Sequence, residues 1–312
     1  MSDYRFKLGM YIGELRLPFA ESMAKAKEIG AKYIWYNSSQ STTGQMAEIG
    51  DEEIKQMEDL CAQYDLEIFA ISPSSCFKQV HLAELEAGKL MEHAEFRRDF
   101  DNTVRAMQVA KHLGTAAVSI FSFAWPGEYT AGKPTWPMRW MTRGGIISEQ
   151  DMEKLVEAFS MLVEEAERYE VDLALGMMPW NFTNTTGNFR RIAEAVGSKR
   201  LKVMWGPADN MNCGETDAVT AGFANVRPYL HGMHIKDLRV NDGIRLDFDY
   251  CPIGEGDVDF LTVLRNLRDH QCDVVLSVAT HFTSASGSAE EAMRINYANL
   301  KMFIAQVEAE VD

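Results

Sequence analysis

The feature that most constrains the fold is an end-to-end alternation of short apolar segments with longer amphipathic ones. The short segments are rich in Val, Ile, Leu and aromatic residues and carry few charges, as strands covered on both faces do. Between them, apolar residues recur every three or four positions, which is the spacing of helices that bury one face. The pattern predicts eight strand–helix units, with strands at residues 6–12, 32–37, 66–72, 116–122, 171–177, 201–206, 230–236 and 273–279.

Residues that are typical of helix ends mark the limits of several predicted helices. Ser148 lies three residues before Asp151, the spacing of a capping box, at the start of an apolar stripe that runs over 149–170. Ser288 stands in the same relation to an acidic residue at the start of the last helix. Gly30 follows the first predicted helix as a C-terminal stop.

Eight such units without a compositional break or linker predict one closed α/β barrel, a (β/α)8 TIM barrel over 1–312. The chain length of 312 residues lies within the range of a single barrel domain. A doubly wound open sheet is the alternative, but GMYIGEL at 9–15 is not its Gly-rich first turn. A repeat solenoid is disfavoured because the units share no fixed period.

Charge and cysteine content narrow the class of partner. A net charge of −15 argues against a nucleic acid or an anionic membrane, since both require basic patches. The five cysteines contain no CxxC pair, so neither a zinc knuckle nor a disulfide framework is indicated. The sequence shows no signal-peptide pattern and no apolar run of membrane length. We therefore expect a cytoplasmic protein with a small-molecule partner, and no membrane or nucleic-acid partner.

Two predicted βα connections, 123–147 and 237–257, are longer than the others. Long βα loops of a barrel lie over its C-terminal face, where substrates bind. The first loop is rich in tryptophan and arginine, which suits a sugar because indole faces stack on C–H surfaces and guanidinium groups bind hydroxyls. Trp125, Arg139 and Trp140 are therefore predicted substrate contacts, and a packed lid or an oligomer contact is the alternative.

Four further segments lie at or after the ends of predicted strands 6, 7 and 8: WGPADNMNCGE (205–215), HIKD (234–237), PIGEGDVDF (252–260) and LSVATHF (276–282). With these segments in this order, the sequence resembles the xylose-isomerase-like superfamily of TIM barrels, which holds sugar isomerases, ketose epimerases and inosose dehydratases. The resemblance covers nearly the whole chain, and its strength lies in the order of the segments, since each alone is weak. It implies a carbohydrate as the small-molecule partner and a homo-oligomer as the assembly.

The resemblance also implies a divalent metal such as Mn²⁺ or Mg²⁺. Members usually bind it with a Glu ending strand 5, an Asp ending strand 6, a His on strand 7 and a Glu ending strand 8, and the two glutamates move the proton. In this chain those positions fall on Gly176, Gly206, His234 and Ala279. One imidazole without carboxylates cannot hold a hard cation against water, so we expect no metal and no other cofactor.

Three interpretations of these losses stay open. Two glycines and an alanine can open the cavity to a larger substrate in a metal-free active site. The barrel can instead be a sugar-binding or structural subunit without catalysis. Deliberate substitution of the ligands is the third, and Met178 argues against it because family members often have His there.

Candidate catalytic groups cluster at the ends of strands 7 and 8. His234 and Lys236 are two residues apart, so they point to the same face of one strand and into the barrel mouth. His is the natural base near neutral pH, and a buried Lys can polarise a carbonyl group. Asp237 is expected to orient these side chains, and His281 is a second acid–base candidate.

Substrate contacts are predicted after strands 5 and 6, from Trp180, Asn181, Asp209 and Asn210. The alternative is that charged residues inside the barrel have a structural role and form an ion pair, because buried charges require partners. For Glu14, just after strand 1, the sequence leaves both a substrate contact and a solvated loop position open.

These features predict a protein of the sugar isomerase or epimerase type that has lost its metal. It is expected to act on a sugar, polyol or keto-sugar by removing a proton next to a carbonyl group. One alternative is a lyase of the C-glycoside deglycosidase type that acts on an oxidised sugar conjugate. The other is a non-catalytic sugar-binding homologue.

Overall fold

Eight parallel strands close into a barrel, in a computed structural model that describes residues 4–74, 77–126, 145–241 and 247–310. The order around the barrel is β1-β10-β7-β6-β5-β4-β3-β2, and each predicted strand is present. The predicted (β/α)8 architecture is therefore confirmed. The barrel strands are β1 (Lys7–Tyr11), β2 (Tyr33–Asn37), β3 (Glu67–Ser72), β4 (Ala117–Phe121), β5 (Asp172–Gly176), β6 (Leu201–Trp205), β7 (Leu230–Ile235) and β10 (Val275–Val278).

The helices surround the barrel, and those with predicted capping residues begin and end at these residues. Ser148 accepts a hydrogen bond from the backbone N–H of Asp151 at 3.1 Å, and Gly30 takes the left-handed conformation at the end of its helix, with φ of 96°. Among the described residues, none of the helices combines the length and apolar character that a bilayer crossing requires. The helices are α1 (Phe19–Ile29), α2 (Asp51–Tyr64), α3 (Ala94–Leu113), α4 (Glu149–Tyr169), α5 (Thr186–Val196), α6 (Pro207–Asn212), α7 (Ala221–Val226), α8 (Phe260–Asp269) and α9 (Ala289–Glu308).

The barrel interior is itself a packed core. Inward-facing side chains of several strands, among them Trp35, Phe69, Met204 and Val275, form one buried cluster. A larger cluster fills the layer between the strands and the helices. Because the interior is filled, functional groups are placed above it, at the C-terminal ends of the strands.

The two long connections differ from the expectation in different ways. The segment 237–257 is not a simple loop, because β8 (Asp237–Asn241) and β9 (Asp247–Cys251) pair as an antiparallel hairpin. Most of 123–147 lies outside the described residues, and with it the predicted contacts Arg139 and Trp140.

Asp237 anchors this hairpin to the end of the barrel. Its carboxylate is fully buried and accepts four backbone hydrogen bonds at 2.8–3.2 Å, from Leu238, Gly254, Gly256 and Val258. A Cβ at Gly256 would overlap this carboxylate, which explains the glycine there. The HIKD and PIGEGDVDF segments thus meet at one structural contact. The structure gives Asp237 this role instead of the predicted one beside His234.

Replacement of Asp237 by Asn is expected to destabilise the protein by about 2–4 kcal/mol, because buried N–H groups lose a charged acceptor. The free energy of unfolding from urea titration measures this loss. Asp249 lies exposed on the same hairpin and provides the matched control. Asp249→Asn should change stability by less than about 0.5 kcal/mol, and an equally small effect at Asp237 would contradict the anchoring role.

Candidate active site

Three charged or titratable side chains meet below the mouth of the barrel. The Lys236 ammonium lies 3.1 Å from Nδ1 of His234 and 2.9 Å from Oδ2 of Asp209. The Lys236 and Asp209 side chains are 0% and 1% exposed. The predicted proximity of His234 and Lys236 is confirmed, and Asp209 joins them as the counter-ion.

The glycine that ends strand 6 makes room for this carboxylate. A Cβ built on Gly206 would overlap Oδ2 of Asp209 and would lie 3.2 Å from the carbonyl oxygen of His234. Asp209 stands in the first turn of α6 and folds back over the strand end. The backbone φ of Gly206 is −126°, which other residues adopt without strain, so space is the reason for glycine here.

The expected widening of the cavity is wrong at two of its three positions. At Gly206 the space is filled by Asp209, as described above. At Gly176 a Cβ would lie 2.8 Å from the ring of Phe121, so that ring covers the end of β5. Phe121 in turn packs on Trp180, with ring centroids 5.1 Å apart. The small residues therefore accommodate neighbouring side chains at these two strand ends.

A second pair, His281 and Glu14, lies beside the first group. Nε2 of His281 is 3.4 Å from Oε1 of Glu14, and the His281 side chain is 33% exposed. The other oxygen of Glu14 accepts hydrogen bonds from the backbone N–H and the hydroxyl of Thr280. His281 has φ of 73°, a left-handed conformation that is uncommon for a residue other than glycine.

Burial sets the charge of both imidazoles. Burial lowers the pKa of His234 well below its usual value, and the positive charge of Lys236 lowers it further. Burial also lowers the pKa of His281, while the Glu14 carboxylate acts in the opposite direction. For Asp209, burial raises the pKa and Lys236 counteracts this rise. Both histidines are therefore neutral at pH 7.

The contact with Lys236 fixes the tautomer of His234. An ammonium group only donates, so Nδ1 of His234 accepts and the ring proton is carried by Nε2. Nε2 is buried, and it has no hydrogen-bond partner within the part of the chain that the structure describes. His234 thus carries an N–H donor without a partner among these residues, close to Glu14 and His281.

Aromatic side chains surround the two histidines. The rings of Trp35 and Tyr11 lie 5.4 and 6.0 Å from that of His234, and the ring of Tyr250 lies 4.9 Å from that of His281. Tyr250 comes from β9, so the hairpin contributes to the site. Sequence reasoning missed Tyr250 because the hairpin was not predicted. The position of Glu14 after a barrel strand was the signal available for that residue.

The predicted sugar contacts after strands 5 and 6 are largely committed to the protein itself. Asn181 donates to the carbonyl of Gly176 and accepts from Thr183. Asn210 accepts from the indole N–H of Trp205 and donates to the carbonyl of residue 184. Both asparagines are fully buried. We infer that they fix the strand ends.

The predicted aromatic contacts are buried as well. Trp180 is 2% exposed, and it packs with Ala124 in a small cluster at the end of β5. Trp125 is 8% exposed and stacks on Phe182 at 4.0 Å. Both indoles are therefore packed against the protein itself.

The donors present do not fit the divalent metal that the resemblance implies. Gly176, Gly206 and Ala279 carry no oxygen donors. Among the described residues, Glu14, His234 and His281 have donor atoms within 4.8 Å of one another, close enough to share an ion. His234, however, has Lys236 against Nδ1 and a proton on Nε2, so it has no lone pair to give.

A cavity of about 380 Å³ opens beside His281. A second cavity of about 580 Å³ shares Gly13 and Arg16 with it, so the two adjoin. The smaller one is lined by Tyr11, Gly13, Glu14, Arg16, Thr280, His281, Phe282, Thr283, Gly287, Ser288 and Ala289.

Comparison with known proteins agrees with this architecture. The family model of the xylose isomerase-like TIM barrel matches residues 23–300, and the chain belongs to this family. No curated protein matches the chain significantly in sequence.

Solved structures of low sequence identity share the whole fold. A probable 3-DHS dehydratase from Bacillus anthracis is 16% identical, with a TM-score of 0.69 over 95% of this chain and 99% of that one. A 3-keto-D-glucoside 4-epimerase from E. coli is 15% identical, with a TM-score of 0.68 over 96% and 100%. A xylose isomerase-like barrel from Mycobacterium smegmatis, solved with magnesium, is 14% identical, with a TM-score of 0.68 over 97% and 98%. The structural neighbours thus include an epimerase and a dehydratase.

Gly206→Ala is expected to cost about 1–3 kcal/mol of stability, because the added methyl group displaces the Asp209 carboxylate from Lys236. Urea unfolding measures the loss. Gly187, inside α5, has nothing within 4 Å of an added Cβ. Gly187→Ala is therefore the control and should be neutral or stabilising. If Gly206→Ala is as stable as the control, Asp209 does not occupy the space assigned to it.

Proposed function

We propose that the protein acts on a keto-sugar or a related polyhydroxylated carbonyl compound, and that it removes the proton next to the carbonyl group without a divalent metal. The observation that carries this proposal is the imidazole of His281 next to a second imidazole, that of His234, whose Nε2 has no protein partner among the described residues. The rings lie 5.9 Å apart. A base beside a hydrogen-bond donor is the arrangement that enolisation requires.

In this proposal His281 is the base. Glu14 lies against its Nε2, which keeps the proton on that nitrogen and the lone pair on Nδ1. The contacts from Thr280 hold Glu14 in place. Nδ1 of His281 takes the proton from the carbon next to the carbonyl group, and Glu14 stabilises the imidazolium that forms.

His234 serves the substrate oxygen. Its Nε2–H donates to the carbonyl oxygen as negative charge develops there, and a donor that is already in place costs no reorganisation. Isomerisation, epimerisation and β-elimination share this first step, so the enediolate can lead to each of these products.

The lining of the cavities suits a carbohydrate. Their volumes of about 380 and 580 Å³ are those of small-molecule sites. Ser39, Gln40, Ser41 and Thr42 line the larger cavity, and Arg16 lines both. The names of two structural neighbours, a keto-glucoside epimerase and a dehydratase, are in line with such substrates.

Proton exchange in D2O tests the first step whichever product follows from it. Keto-sugars and keto-glycosides incubated with the protein should gain deuterium next to the carbonyl group, detected by NMR, both with and without EDTA. His281→Ala should slow exchange by about 10²–10⁴-fold. His112 is exposed near the end of α3, and His112→Ala should leave the rate unchanged.

Two outcomes would contradict this proposal. Exchange abolished by EDTA would show that the step depends on a metal. Binding of these sugars without any exchange would identify a non-catalytic sugar-binding protein.

Glu14→Gln is expected to lower the pKa of His281. The Glu14 charge raises this pKa against the effect of burial, so its removal lets the pKa fall further below that of free histidine. The neutral form of His281 then persists to lower pH. An NMR titration of the imidazole measures the shift and requires no substrate. Glu53→Gln, in the larger cavity, is the control. A rise of the pKa in Glu14→Gln would contradict the pairing.

A further inference from the structure

We propose that the Lys236 ammonium is a built-in cation that replaces the divalent metal of the family. Among the described residues, the side chains that contact this ammonium are those of Asp209 and His234. Its role in the reaction rests on the proposed function, but its position does not. Asp209 and Lys236 are positioning residues in this proposal, because both are buried behind His234.

The first support is the contact with the one family ligand that the chain retains. His234 is the position at which relatives bind the ion through an imidazole nitrogen. Here Nδ1 of His234 meets the Lys236 ammonium at 3.1 Å instead. Lys236 follows directly after the end of β7, two residues beyond His234, and its side chain reaches this nitrogen.

The second support is the position of the Asp209 carboxylate, which comes from a different residue than the strand 6 carboxylate of relatives. Strand 6 of relatives ends in an Asp, and this chain has Gly206 there. Asp209, three residues later, occupies the space that a side chain at 206 would take. The carboxylate is thus kept at the end of β6, but it contacts Lys236.

The third support is the balance of charge. Three carboxylates around a divalent ion carry one net negative charge. In this chain, the carboxylates of Asp209 and Glu14 with the Lys236 ammonium also carry one net negative charge. A buried carboxylate without a partner is costly, so loss of the metal required both the removal of carboxylates and a cation inside the protein.

Removal of the Lys236 ammonium would leave two potential metal ligands facing each other, one from Asp209 and one from His234. Oδ2 of Asp209 and Nδ1 of His234 are 3.9 Å apart. Two metal–ligand bonds of about 2.0–2.2 Å span at most about 4.4 Å, so a single ion fits between these atoms. Lys236→Ala should therefore create a metal site that the native protein lacks.

Titration with Co²⁺, followed by visible absorption, and with Mn²⁺, followed by EPR, tests this inference. The full-length Lys236→Ala protein should bind about 100-fold more tightly than the native protein, and Lys236→Ala with Asp209→Ala should lose most of the gain. Lys202, an inward-facing lysine at the other end of the barrel, provides the control, and Lys202→Ala should bind as weakly as the native protein.

Equal affinity of native protein and Lys236→Ala would overturn the inference. If Lys236→Ala does not fold, ¹⁵N NMR of His234 in the native protein decides: a protonated Nε2 supports the inference, and a protonated Nδ1 overturns it. Neither measurement uses a substrate. Failure of the proposed function would appear in the deuterium exchange alone, so the two failures can be told apart.

Discussion

The arrangement around His234 depends on the buried ion pair of Asp209 and Lys236. It requires a residue without a side chain at position 206, and it determines which nitrogen of His234 carries the proton. That proton makes His234 a hydrogen-bond donor and removes it as a metal ligand. In our proposal, this contact of 2.9 Å between Lys236 and Asp209 takes the place of the metal that relatives bind.

The segments that resemble the family contain two kinds of position: residues that stabilise the barrel, and strand-end residues that bind the metal in relatives. Asp237 and the glycines of PIGEGDVDF keep a structural contact, in which one carboxylate satisfies four backbone N–H groups. The positions that deliver side chains to the mouth have changed instead, at Gly176, Gly206 and Ala279. A site can therefore be rebuilt while the barrel that supports it is preserved. In the proposed mechanism the acid–base groups are His281 and Glu14, in segments after the last and the first barrel strands.

The sequence predicts the barrel well because each strand is a short apolar run buried on both faces, and each such run is visible by itself. The period of two residues along a strand likewise predicts that His234 and Lys236 meet. The hairpin of β8 and β9 was missed because its pairing depends on a partner strand and not on local composition. The position of Asp209 depends on the empty space above Gly206, and the contact of Glu14 with Thr280 joins residues 266 positions apart. Such non-local contacts leave no periodic trace in the sequence.

Anomalous X-ray diffraction from crystals of the native protein grown with Mn²⁺ tests most directly whether Lys236 stands in place of the metal. We expect no manganese peak among Glu14, His234 and His281, and we expect Lys236 in contact with both Asp209 and His234. A peak bonded to His234, with the lysine displaced from Nδ1, would contradict this replacement.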